Sequence, residues 1–178
     1  MANLKIGDKA IDFTLIGTDG LKHSLTDYRN KFTVVVFSCN HCPYVRAWEG
    51  RMVTIQAAYA DRGVQLIAVN SNDATQYPED NFENMKLRAR EKQFNFPYLR
   101  DEDQKVAESY GAQRTPEVFV FDRNSILRYH GAIDDNYDDP LAVKRHHLRD
   151  ALDALSGGTK PLRPETQTVG CTIKWKNN

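Results

Sequence analysis

Phe32-Thr33-Val34-Val35-Val36-Phe37-Ser38-Cys39-Asn40-His41-Cys42-Pro43-Tyr44 decides how the rest of the chain is read. The run Phe32 to Phe37 suits a short buried strand. Two cysteines follow, separated by Asn40 and His41, and apolar residues then fall at Val45, Trp48, Met52, Ile55 and Tyr59. Steps of three and four residues put these on one helical face, and Gly63 fits a C-terminal stop. A C-x-x-C between strand and helix lies where unpaired backbone N–H groups and the positive end of the helix dipole stabilise a thiolate. The placement predicts that Cys39, nearest the helix start, is the exposed, low-pKa attacking thiol. Cys42, one turn further in, is then the resolving thiol. His41 is the tuning residue, because an imidazolium beside Cys39 favours the thiolate and makes the disulfide more oxidising.

Other uses of two such cysteines fit less well. A zinc site needs two more ligands at metal spacing, and only Cys171 and scattered histidines remain. Haem attachment needs a histidine directly after Cys42, where Pro43 stands. No metal ion and no organic cofactor is expected at the site.

Outward from this stretch, Val64 to Ser71 reads as a second apolar strand, which makes a βαβ unit and therefore a parallel pair. Upstream, Phe13 and Leu15, the turn Asp19-Gly20, and Leu25 with Tyr28 predict a hairpin-and-loop extension. Residues 72–101 read as a helical insertion: Pro78 and Asp80 open a helix carrying Phe82, Met85 and Ala89. Phe94, Phe96 and Tyr98 follow. With no basic patch beside them, core packing is preferred to nucleic-acid stacking. Asp101 and Gln104 read as a capping-box variant ahead of a short helix that Gly111 ends. Val118 to Phe121 and Ile126 to His130 read as paired strands, and Leu141, Leu148, Leu152 and Leu155 as one face of a last helix. Asp134, Asn136 and Asp138 match the start of a calcium loop, but Asp139 replaces its glycine and Arg145 its glutamate, so a solvated loop is expected. His146 and His147 diverge on a helix and form no metal pair.

These segments resemble the thioredoxin-fold redoxins, in the branch of alkyl hydroperoxide reductase/thiol-specific antioxidant (AhpC/TSA) and TlpA-like proteins. The resemblance rests on Lys5 to Leu15, Asp19-Gly20, Ser24 to Tyr28, the C-x-x-C, and Gln113 to Asp122, and spans roughly residues 4 to 155. It implies an α/β thioredoxin-like fold: a central mixed sheet flanked by helices, with an N-terminal hairpin extension and a helical insertion. It also implies a cis-proline at Pro116 facing the cysteines, with the Thr115 backbone pairing with substrate and Arg114 as a lesser contact. Peroxiredoxins carry a proline and a Ser/Thr upstream of their reactive cysteine. Here Val36 precedes Cys39 by three, Cys39 precedes Cys42 by three, and no proline lies upstream in either frame. The buried aspartate of thioredoxins is missing too, with Thr33 at its place.

The expected organisation is a redoxin domain over residues 1–158 and an extended tail over 159–178 that docks back through Val169, Ile173 and Trp175. Cys171 in that tail reads as a packing residue, with a role as third thiol as the alternative. Lys+Arg and Asp+Glu are both 24 in 178 residues, so no global field favours nucleic acid or anionic membrane. Three cysteines make no disulfide-stapled scaffold. Met1 to Lys5 lack the apolar core of a secretory signal, and a cytoplasmic location is expected. The expected function is dithiol–disulfide exchange with a protein or small-molecule disulfide, recycled by a thiol reductant system. The alternatives are a thiol peroxidase using Cys39 with Cys42 or Cys171 as resolving thiol, and a copper or other metal chaperone.

Overall fold

The computed structural model describes residues 3–177. Strand β3 (Phe32–Ser38) runs through the centre of a seven-stranded mixed sheet. It pairs parallel to β4 (Val64–Asn70) and antiparallel to β7 (Glu117–Phe121), which forms a hairpin with β8 (Leu127–Gly131). Helix α1 (Pro43–Tyr59) makes the crossover between β3 and β4. On the far side, β5 (Tyr98–Arg100) lies parallel to β4 and antiparallel to β1 (Thr14–Gly17). Strand β1 in turn forms the expected hairpin with β2 (Lys22–Ser24).

Alternation along β3 feeds two apolar layers. Val34 and Val36 meet Trp48, Met52 and Ile55 of α1 and Leu148, Leu152 and Leu155 of α4 (His147–Ser156) on one face. Val35 and Phe37 meet Phe13, Leu25 and the residues Val106, Ala107 and Tyr110 of α3 (Lys105–Tyr110) on the other. This is the thioredoxin-like architecture, with helices on both faces of a mixed sheet. Among the described residues no helix is long and apolar enough to cross a membrane.

The structure corrects several local readings. Residues 72–101 are not only a helical insertion, because their return segment supplies β5, between β4 and β1. Pro78–Asp80 is a 3-10 turn, and Asn81 caps α2 (Phe82–Glu91) by accepting from the Asn84 N–H. Phe96 and Tyr98 are buried in the α1 layer, as packing predicts. Gln104 makes no capping box; its amide reaches the carbonyls of Ser71 and Lys174, and Asp101 accepts from the N–H groups of Val106 and Ala107. Leu141 sits in a 3-10 turn with its side chain in solvent, outside α4. Asp134 is not part of a solvated loop: it is buried, accepts from the Trp48 indole, and pairs with Arg51 at 2.7 Å.

Candidate active site

Pro43 is the first residue of α1, a position where fixed φ and a missing N–H cost nothing. The residue before a proline prefers extended backbone, and Cys42 has φ −64° and ψ 123° as the helix N-cap. The helix terminus therefore serves Cys42, whereas Cys39 lies in the loop that leaves β3. The structure thus puts Cys42, where the sequence reading put Cys39, at the helix start. Cys42 is held well below the ordinary thiol range, to about 4, first by a hydrogen bond from the Cys39 thiol. Burial opposes this, while the Cys171 thiol and the N–H groups of Val45 and Cys171 add to it. The Thr115 carbonyl, 3.3 Å from the Cys42 sulfur, favours the protonated form, but one acceptor stands against four donors. Cys39 is pushed up, first because it donates to Cys42, then by burial and by the charge of Asp80; the Thr115 hydroxyl at 3.4 Å acts the other way. Cys39 is buried rather than exposed.

A polar cradle beneath the pair was not foreseen. Asp80 is fully buried, and its carboxylate accepts from the Asn40 N–H (2.6 Å), the side-chain amides of Asn70 (3.1 Å) and Asn72 (3.0 Å), and His41 Nδ1. Tyr98 donates to the Asn40 side chain at 2.8 Å. His41 stacks on Tyr77 with ring centroids 5.6 Å apart. Asp80 thus fixes the C-x-x-C loop from below, and places a charge near Cys39 where Thr33 supplies none. Cys39, His41 and Asp80 offer ligand atoms within 4.8 Å of one another. Both Asp80 oxygens are already occupied by two donors each, so a metal ion there would have to displace part of the cradle.

The Thr115–Pro116 bond is cis, as the resemblance implies. Glu117 braces the loop in front of it, accepting from the N–H groups of Gln113 and Arg114 at 2.8 Å each and from His130 at 2.7 Å. The backbone edge at Thr115, expected to be open to substrate, is taken by the chain itself. Strand β6 (Arg114–Thr115) pairs antiparallel with β9 (Cys171–Thr172), with Thr115 opposite Cys171. Arg114 donates to the Gly170 carbonyl at 2.9 Å. Cys171 packs against Cys39, Cys42 and Val45.

The cysteine assignment makes a direct prediction for the reduced protein. Alkylation at about pH 6 should mark Cys42 ahead of Cys39. The rate should stay level in neutral solution and fall about tenfold per unit once pH drops below about 4, as the thiolate takes up its proton. Peptide mapping that finds Cys39 marked first would reject the assignment.

A thioredoxin-type sheet carrying a C-x-x-C at a helix start, opposite a cis-proline, defines a thioredoxin-fold redoxin. The chain belongs to the AhpC/TSA family, whose profile matches residues 6–130. It is similar to the thiol-disulfide oxidoreductase ResA of Geobacillus thermodenitrificans (strain NG80-2), at 30% identity over 123 residues covering 69% of this chain and 67% of that one. Two crystal structures match nearly the whole chain. One is an uncharacterized conserved protein from Geobacillus kaustophilus (TM-score 0.93, 40% identity, 98% of this chain and 94% of that one). The other is a hypothetical protein from Sinorhizobium meliloti 1021 (TM-score 0.92, 33% identity, 99% and 97%).

Proposed function

We propose that this protein is a thiol-disulfide oxidoreductase in which Cys42 attacks and Cys39 resolves. The observation that carries the reading is the position of Cys42 as N-cap of α1. Cys42 has no exposed surface while β9 holds the Thr115 edge, so substrate entry requires β9 to lift; the Cys42 thiolate then attacks one sulfur of a substrate disulfide and expels the other as a thiol. Cys39, losing its proton, then attacks Cys42, and the substrate leaves with both sulfurs reduced while Cys39 and Cys42 are joined. A thiol reductant system restores the pair. The ResA relative supports this reading by its name, and a protein disulfide is the substrate class we infer.

A peroxidase role is disfavoured by what surrounds Cys42. Cleaving an O–O bond needs donors that stabilise the leaving oxygen. The donors near Cys42 are directed at its own sulfur, the Thr115 backbone oxygen is an acceptor, and Arg114 is engaged with the Gly170 carbonyl. Insulin reduction with dithiothreitol as electron source should therefore be measurable. Stopped-flow oxidation by hydrogen peroxide should be no faster than that of an ordinary low-pKa thiol. Fast, saturable peroxide oxidation without insulin reduction would make the protein a peroxidase instead.

A further inference from the structure

Strand β9 sits where an extended substrate would lie, and the tail around it is built to sit there. Gly170 allows the approach, since a Cβ at that position would collide with the Thr115 carbonyl. Beyond β9 the Ile173 N–H donates to the Gln113 carbonyl at 2.9 Å, and the Ile173 side chain is buried in the layer that holds Phe37 and Phe119. The Lys174 N–H donates to Asn72, a member of the Asp80 cradle, and the Lys174 carbonyl accepts from Asp73 and Gln104. The segment is tied to the fold on both sides of the cysteines it covers. Cys42 has no exposed surface beneath it, while Cys171 is half-buried and faces outward in part.

We propose that Cys171 is a third exchanging thiol, held by β9 in the place of a substrate cysteine beside Cys42. The inference rests on the dithiol-exchange reading and adds a second disulfide to it. Once a substrate disulfide has been reduced and Cys39 joined to Cys42, the Cys171 thiol loses its proton and its sulfur attacks Cys42. A Cys42–Cys171 bond forms, the Cys39–Cys42 bond breaks, and the electron pair leaves on Cys39, which takes up a proton. No electrons are gained or lost, so no further oxidant is needed. The step is self-timed. In the reduced protein burial, and then the hydrogen bond and charge of Cys42, push Cys171 up to about 11, with Lys174 and Arg114 opposing. When Cys42 is bound in a disulfide its negative charge is gone, and the two cations remain. The product brings the disulfide from a buried sulfur to a partly exposed one, within reach of an external thiol reductant.

The test is disulfide mapping of the full chain after equilibration in a glutathione redox buffer, acid quenching, alkylation of free thiols and digestion without reduction. Two oxidised species are expected: Cys39–Cys42 with Cys171 alkylated, and Cys42–Cys171 with Cys39 alkylated. Their ratio should be the same from the reduced and the oxidised starting protein. The Cys39→Ser variant should close Cys42–Cys171 within the chain. Wild-type protein that shows Cys39–Cys42 alone, together with a Cys39→Ser variant that carries glutathione on Cys42 and a free Cys171, would overturn the inference and leave the oxidoreductase reading standing. Absence of every intramolecular disulfide, together with no insulin reduction, would overturn both.

Discussion

Insulin reduction should fall on the order of a thousandfold or more in Cys42→Ser, because on the proposed mechanism the variant lacks the nucleophile. The Cys39→Ser change has a different signature. With Cys171→Ser added to remove the tail thiol, the variant should still attack a disulfide reagent such as Ellman's reagent. It should release a single equivalent of thionitrobenzoate and stop, with the second equivalent retained as an adduct on Cys42 that intact-mass measurement reads directly. Wild-type protein should release both. The contrast follows from the N-cap position of Cys42, which favours its thiolate. Were Cys39 the attacking thiol, the pattern would invert: Cys42→Ser would trap the adduct, and the double variant would hardly react.

Asp80→Ala is expected to have the largest effect on stability at the site. The carboxylate is fully buried and is the shared acceptor for Asn40, His41, Asn70 and Asn72. Removing one partner from a buried charged network costs about 3–5 kcal/mol. For a chain of this size that lowers the thermal midpoint by roughly 10 °C. Thermal unfolding followed by circular dichroism measures this. The variant should also react differently at Cys39. The Asp80 charge is one of the influences that raise the Cys39 thiol, behind the hydrogen bond to Cys42 and burial, so its loss moves Cys39 back toward the usual range and quickens its alkylation in alkaline solution. A midpoint within a degree or two of wild type would mean that the cradle does not hold the loop.

The centre of the fold is legible because β3, α1 and β4 write their burial into residue type and period. Phe32 to Phe37 is an apolar run interrupted only by Thr33, and Val45, Trp48, Met52, Ile55 and Tyr59 all fall on the buried face of α1. What escapes the sequence lies where a polar residue changes neighbours. Asp80 has the spelling of a helix cap, following Pro78 and preceding Phe82, yet Asn81 takes that role and Asp80 turns inward. Nothing local distinguishes the two aspartate fates, since the donors come from Asn40, Asn70 and Asn72. The start of α1 was within reach of the sequence. Pro43 marks a first helical position, which makes Cys42 the cap; counting the C-x-x-C itself as the helix start points to Cys39 instead. Leu141 keeps the seven-residue step to Leu148, but Pro140 and the short 3-10 turn that follows it leave the side chain in solvent.

The position of β5 has a consequence for how the chain is made. Among the described residues, β1 has one sheet neighbour besides β2, Tyr98–Arg100, which leaves the ribosome long after it. A lone two-stranded ribbon is marginal in water, so the N-terminal hairpin must wait for residue 100 before it can settle. During that interval its outer backbone groups are bare, the condition under which strands find wrong partners. Strand β3 waits in the same way for β7, while α1 and β4 can pack on it at once. Synthesis should therefore yield a β3–α1–β4 nucleus first and complete the redox site later, because β9 follows β3, α1, β4 and β7 along the chain. A nascent chain carries both Cys39 and Cys42 long before Cys171 emerges to cover them.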